Sequence, residues 1–266
     1  MSVFQGKNVL VTGGSSGLGL GLARGIAKSG GRVTIVARDP DKLAAARADI
    51  EAAVPGASVE TLSVDICDSA ALTEAVGSIK DLDVLVNNAG ILHEGYFETL
   101  PDSVFRDTME TNFFATVNAT RAALPQLLAR KGILVNISSC SGLIGVFGYS
   151  SYCSAKYALN GFTETLRYEL ADRDISLHLI CPPEFDSPMV DTLDQTRTAE
   201  NRAHTLMSPK QSMDTMVKDI LHGVERGRFM IVPGKHARLS MVAARLFPGA
   251  TRKMGDLTIS KARRKK

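Results

Sequence analysis

The stretch "VLVTGGSSGLG", residues 9–19, reads as a short β-branched strand that runs into a glycine-rich turn and opens a helix. Gly13, Gly17 and Gly19 follow a T-G-x-x-x-G-x-G pattern rather than G-x-G-x-x-G, but the physical logic is the same. Glycines permit a tight turn and a close approach of backbone to a pyrophosphate. That group then rests on the unpaired N–H groups and positive dipole end of the helix. Ser15 and Ser16 add hydroxyl donors, and Leu18 lies in the same turn. Following the first strand and opening a helix, the stretch predicts a dinucleotide site.

Outward from this turn, β-branched runs alternate with helical patterns. "RVTIVAR", "VETLSVD", "DVLVNNAG", "GILVNISS", "SLHLICP" and "RFMIVP" are separated by stretches such as "DKLAAARADIEAA" and the long "PDSVFRDTMETNFFATVNATRAALPQLLAR". Apolar strands separated by helices imply a parallel sheet covered on both faces. The fold class expected is α/β: a doubly wound, Rossmann-type parallel sheet of about seven strands, forming a single domain over residues 1–266. Ligands then belong at the carboxyl ends of the strands. The polar, mixed-charge segment 186–210 reads as a substrate lid, and 255–266 as a basic, disordered tail.

The end of the second strand bears on which dinucleotide binds. A site for the unphosphorylated cofactor usually places an acid there, to meet the ribose 2′-OH. Here that position is Ala37, followed by Arg38, whose guanidinium suits a 2′-phosphate. Lys42 either adds a second positive charge or is simply solvated, and Asp39 is the counter-signal, able to reach a ribose hydroxyl. The balance favours NADP(H). Asp65 either meets the adenine or serves as a strand-end turn residue.

A second stretch, "YCSAK" at 152–156, sets Tyr152 and Lys156 four apart on one helix face. Both titrate near pH 10 in water, and a nearby ammonium would favour the phenolate, making the tyrosine a usable acid/base. Taken alone, the pair reads as the edge of an amphipathic helix, and only the rest of the sequence overturns that reading.

Composition narrows the class. No apolar run approaches the roughly 20 residues of a membrane span, and the N-terminus lacks the h-region of a signal peptide, so a cytoplasmic protein is expected. Cys67, Cys140, Cys153 and Cys181 have no metal-ligand spacing, which predicts reduced thiols and no metal site. The last six residues, "KARRKK", hold five positive charges; without them the net charge of +3 becomes −2. Such a tail is either solvated or drawn to anionic lipid headgroups. No aromatic or basic face accompanies it, so no nucleic-acid partner is expected. The segment "KHARLSMVAARLFPGATRKM" could cover a pocket, meet a partner subunit or lie on a membrane surface.

"TGGSSGLG", "NNAG" at 87–90, "NISS" at 136–139 and "YCSAK" occur in the order and spacing of the short-chain dehydrogenase/reductase family, which the chain resembles from about residue 5 to 232. The resemblance implies that Tyr152 protonates a carbonyl oxygen, that Lys156 lowers its pKa and bonds the nicotinamide ribose, and that Ser139 holds the substrate oxygen. It implies that Asn112 helps to hold a proton-relay water, the alternative being a helix residue satisfying backbone. Asn88, Ala89 and Gly90 would flank the cofactor. Homodimers or homotetramers, paired through the helices near 101–130 and 150–172, are also implied.

"CPPEFDSP" departs from the family's commoner Pro-Gly by placing Pro183 where glycine usually stands. Pro182, Phe185 and Ser187 would meet the nicotinamide carboxamide. The double proline, "ARDPDKL" and "GLIGVFGYSSYCSAKYA" resemble the 3-ketodihydrosphingosine reductase branch, implying a small-molecule ketone or alcohol substrate on a long-chain lipid. Rival readings are another carbonyl substrate (3-oxoacyl, steroid or small ketone), a non-catalytic dinucleotide sensor, and a sugar-nucleotide epimerase. The intact Asn112, Ser139, Tyr152 and Lys156 set disfavours the sensor, and the single-domain length disfavours the epimerase.

Overall fold

In the computed structural model, which describes residues 1–205 and 210–264, seven strands form one sheet in the order β3-β2-β1-β4-β5-β6-β7. They are β1 (Asn8–Thr12), β2 (Arg32–Ala37), β3 (Val59–Ser63), β4 (Leu82–Asn87), β5 (Ile133–Ile137), β6 (Ser176–Ile180) and β7 (Met230–Ile231). Every pairing is parallel. The chain leaves β1 toward β2 on one side and returns to β4 on the other, so a crevice opens beyond the ends of β1 and β4.

The strands are buried on both faces, as their continuous apolar runs require. On one face Val9, Val11 and Ile35 pack with helices α1 (Gly17–Lys28), α2 (Pro40–Ala53) and α9 (Met213–Glu225) through Leu22, Ile26, Ile50 and Ile220. On the other, Leu10, Leu85 and Leu134 meet α3 (Ser69–Ser78), α5 (Ala115–Ala129) and α6 (Ser150–Glu169) through Leu72, Leu127 and Leu166. Val9, Leu10 and Val11 going to alternate layers is the period-2 signature of a strand.

The long helix expected over 101–130 is interrupted. It divides into α4 (Asp102–Met109), a π-helical turn (Glu110–Phe114) and α5. The wider turn accommodates Asn112, whose buried amide accepts from Ile91 N–H (2.8 Å) and donates to Ile91 C=O (2.8 Å). A π-turn at such a position commonly marks a functional site.

Segment 186–210 contains α7 (Pro188–Thr196) and α8 (Ala199–Thr205); its residues 206–209 lie outside the described part. The expectation of a disordered tail over 255–266 is corrected. A hairpin of α10 (Lys235–Leu246) and α11 (Pro248–Arg263) runs to the end of the described chain, and 265–266 lie beyond it. Packing explains the order: Gly255 sits against His204, and the Arg263 guanidinium lies over the Phe147 ring at 5.6 Å and within 3.7 Å of Glu200. No described helix is long and apolar enough to cross a membrane.

Candidate active site

A cavity of about 920 Å³ opens at the crevice between the ends of β1 and β4. Its floor is built by the first glycine turn. Thr12 Oγ accepts from the N–H groups of Asn88 (3.0 Å) and Ala89 (3.2 Å), and Asn88 Nδ2 donates to the carbonyls of Thr12 and Gly13. The turns after β1 and β4 are thereby tied together. Gly13 has φ +64°, and a Cβ there would lie 2.8 Å from the Ala89 Cα. A Cβ on Gly19 would collide with the Gly13 carbonyl and the Asn88 amide. Gly19 thus keeps the turn closed from behind, without lining the cavity, whereas Gly13, Ser15, Ser16, Gly17 and Leu18 line it. Ser16 N-caps α1 without a side-chain bond, leaving the N–H groups of the first turn free for an anion.

Further along the wall, Arg38, Lys42 and Asp65 face the same cavity, and Arg38 is exposed at its rim. Asp39 Oδ1 accepts from the N–H groups of Asp41 (3.0 Å) and Lys42 (3.1 Å), so this carboxylate caps α2. Lys42 Nζ stands 3.7 Å from its other oxygen. Asp65 holds a turn by accepting from Cys67 N–H (3.0 Å), with its cavity-facing position retained.

Beneath lie Ser139, Tyr152 and Lys156, with Asn88, Ala89 and Gly90 opposite. Ser139, at the end of β5, accepts from Ser141 N–H (3.1 Å). Lys156 is buried, and its Nζ donates to Ile137 C=O (2.9 Å) and stands 5.6 Å from the Tyr152 ring centre. Asn112 does not line the cavity, but a Cβ on Gly90 would come within 3.1 Å of Asn112 Oδ1 and 3.8 Å of Lys156 Nζ, so the two are near neighbours.

In the ligand-free site burial, and not Lys156, sets the direction of the Tyr152 pKa. Burial pushes Tyr152 up to about 12, with a hydrogen bond from Ser139 pulling the other way, and burial pushes Lys156 down to about 8. The physical reason is desolvation, the largest effect on both groups in the ligand-free site, which raises the phenol and lowers the ammonium. At neutral pH the phenol holds its proton firmly.

The loop after β6 completes the site. Pro182 C=O accepts from Cys140 N–H (2.8 Å), Phe185 bridges to Gln211, and Ser187 caps α7 by accepting from Val190 N–H (3.3 Å). Pro182, Pro183, Phe185 and Ser187 all line the cavity. The region beyond Tyr152 is apolar, lined by Ile144, Val146, Tyr149 and Met189, and closed by α10 and α11. His93 lines the cavity, whereas Glu94 accepts from Thr198 Oγ (2.7 Å) and so anchors the start of α8. His178 is a buried strand residue paired to Ser176 (2.9 Å) and Arg228 C=O (2.7 Å), remote from the chemistry.

Sequence reasoning missed the anchor of the substrate side. Arg197, with 1% of its side chain exposed, pairs with Glu184 (3.0 Å) and Asp194 (2.5 Å), and Lys210 joins both acids. Its only signal was the acid of "CPPE", whose partner thirteen residues on follows no periodicity.

Residues 7–198 match the family model described as short chain dehydrogenase. The chain belongs to that family. It is 33% identical over 234 residues to a 3-ketodihydrosphingosine reductase of Bos taurus, covering 82% of this chain and 69% of that protein. It is 31% identical over 272 residues to a fatty acyl-CoA reductase of Acinetobacter baylyi, covering 95% and 89% respectively. A short-chain dehydrogenase of Sphingobium yanoikuyae, solved in complex with NADPH, superposes with a TM-score of 0.78 at 25% identity, over 95% of each chain. The chain is an oxidoreductase of this family.

Proposed function

We propose that the protein is an NADPH-dependent reductase that converts a ketone on a long-chain lipid, such as 3-ketosphinganine, to a secondary alcohol. One observation carries this reading: a firmly protonated phenol, Tyr152, stands beside Ser139 at the junction of a polar dinucleotide cleft and a deep apolar chamber.

The polar half fits the cofactor. The Gly13–Gly17 turn and the free N–H groups of α1 would hold the pyrophosphate, and Arg38 the 2′-phosphate. Asp39, engaged in capping α2, is not placed as a dedicated partner for a ribose hydroxyl. Asp65 would lie at the adenine end, with Asn88, Ala89, Gly90 and Lys156 along the nicotinamide side, and Pro182, Phe185 and Ser187 over its carboxamide. When bound, NADPH supplies the hydride that goes to the carbonyl carbon. Ser139 orients the substrate oxygen by a hydrogen bond, and Tyr152 delivers its proton to that oxygen, so that negative charge does not build unassisted. Lys156 and Asn112, packed around Gly90, position this corner and lead toward the source of the replacement proton.

The chamber beyond Tyr152 offers aliphatic and aromatic walls, and Glu184, which also lines the cavity, is already paired to Arg197 (3.0 Å), which supports a lipid tail. A paired homo-oligomer through α5 and α6 agrees with the exposed Phe114 and Tyr157 near and on those helices.

The test is turnover of 3-ketosphinganine with NADPH, beside a fatty acyl-CoA, a steroid ketone and a short ketone. Brisk turnover of the short ketone with none of the long-chain base would end the lipid reading. Tyr152→Phe should retain NADPH binding while losing nearly all turnover; a variant still turning over at the native rate would remove Tyr152 as the acid.

A further inference from the structure

Helix α10 presents two opposed faces. Ala237, Ser240, Met241 and Ala244, at i, i+3, i+4 and i+7, line the cavity. On the other side, Leu239, Val242 and Leu246 are 70%, 50% and 65% exposed, and Phe247, at the turn into α11, is 65% exposed. Arg238 and Arg245, two turns apart, run along one flank of this stripe.

Charge is segregated in the same direction. Residues 235–264 hold eight basic side chains and one acidic, Asp256, whereas residues 1–234 hold 21 basic and 27 acidic. A twofold contact between copies through this stripe would set two strongly cationic surfaces against each other. An apolar stripe rimmed by cations is instead suited to the boundary between anionic headgroups and acyl chains.

We propose that the outer face of α10 and the α10–α11 turn form a docking surface for an anionic lipid bilayer. The cavity then lies one helix thickness, about 10 Å, behind the membrane boundary. Delivery of a lipid substrate across this wall rests on the ketone-reductase reading; the docking itself does not.

The test is sedimentation of the full-length protein with phosphatidylcholine vesicles, with and without about one-third phosphatidylglycerol, alongside size-exclusion chromatography and turnover of a short, water-soluble ketone. The native protein should pellet with anionic vesicles and remain in the supernatant with neutral ones, and added salt should release it. Arg238→Ala and Arg245→Ala should each weaken vesicle binding about fivefold. Leu239→Glu/Val242→Glu/Leu246→Glu should abolish it while keeping the native circular dichroism and short-ketone turnover. Native protein that ignores anionic vesicles, or a triple variant that binds as well as the native chain, overturns the proposal. So does a triple variant whose only defect is a smaller oligomer, which would make a second copy the occupant. Vesicle binding without reduction of any ketone leaves the docking standing and removes the enzymatic reading; reduction without vesicle binding does the reverse.

Discussion

Replacing Lys156 by methionine should make the ligand-free protein more stable at neutral pH while impairing its activity. Burial pushes the Lys156 pKa from 10.5 to about 8. At about 1.4 kcal/mol per pH unit, holding the ammonium inside costs about 3 kcal/mol below pH 8. Methionine fills similar space without a charge, but it abandons the 2.9 Å bond to Ile137 C=O, a loss of about 1 kcal/mol. The balance is about 2 kcal/mol in favour of Lys156→Met at pH 6.5. The sign of the pH dependence follows from proton uptake. Between pH 8 and 10.5 the unfolded lysine binds a proton that the folded one has shed, so the native chain gains stability as pH rises through that window. By pH 9.5 the residual charge cost is about 1 kcal/mol, and the two proteins should be nearly level. Urea unfolding of both chains without nucleotide at pH 6.5 and 9.5 reads this directly. If Lys156→Met is the weaker protein at pH 6.5, or if the gap does not change with pH, the buried-ammonium argument is wrong.

Four other outcomes are expected. In fluorescence titration of the ligand-free protein with NADPH, affinity should decline as pH rises through about 8 with loss of the Lys156 proton. In the same ligand-free protein no Tyr152 ionisation should appear until near pH 12. Arg38→Ala should raise the KM for NADPH by about 10- to 100-fold and leave that for NADH nearly unchanged, as expected for a lost charged contact to a 2′-phosphate; equal effects on both would assign Arg38 elsewhere. Gly19→Ala should lose nucleotide binding, measured by fluorescence titration, because the added methyl must displace the Gly13 carbonyl or the Asn88 amide. Arg197→Met should lower stability in urea by about 2 kcal/mol, since it leaves the partly buried Glu184 and Asp194 sharing Lys210 as their nearest remaining cation, and should raise the KM for the ketone more than that for NADPH.

Local signals were legible where one short stretch of chain makes the structure. The strand–glycine–helix turn at 9–19, the seven apolar strands and the Tyr152–Lys156 spacing each involve residues that act with near neighbours. What escaped depends on distant partners. Asn112 was flagged, but the π-turn that carries it is stabilised by Ile91, a loop residue 21 positions away. The basic end of the chain looked disordered because its partners, His204, Glu200 and Phe147, lie on other elements. The ligand-free pKa of Tyr152 escapes the sequence for a related reason. Spacing along a helix reveals that two side chains share a face, but not how much water the fold takes away from both, and here desolvation outweighs the charge.

That desolvation bears on which way the chemistry runs. A phenol near 12 is a reservoir of one proton at any physiological pH, ready for a developing alkoxide but a poor base for removing a proton from an alcohol. Reduction draws on the protonated phenol, in which the ligand-free site already rests, whereas oxidation draws on the phenolate, which needs a positive charge beside it. The ammonium near 8 sits on the opposite side of the balance, poised to change charge near neutrality, and only a group that brings polar atoms to Lys156 would stabilise its positive form. A ribose placed against Gly90 is such a group. Its arrival would raise the Lys156 pKa and, through the restored positive charge, lower that of Tyr152, so that occupancy of the polar half of the cleft tunes the acid facing the apolar half.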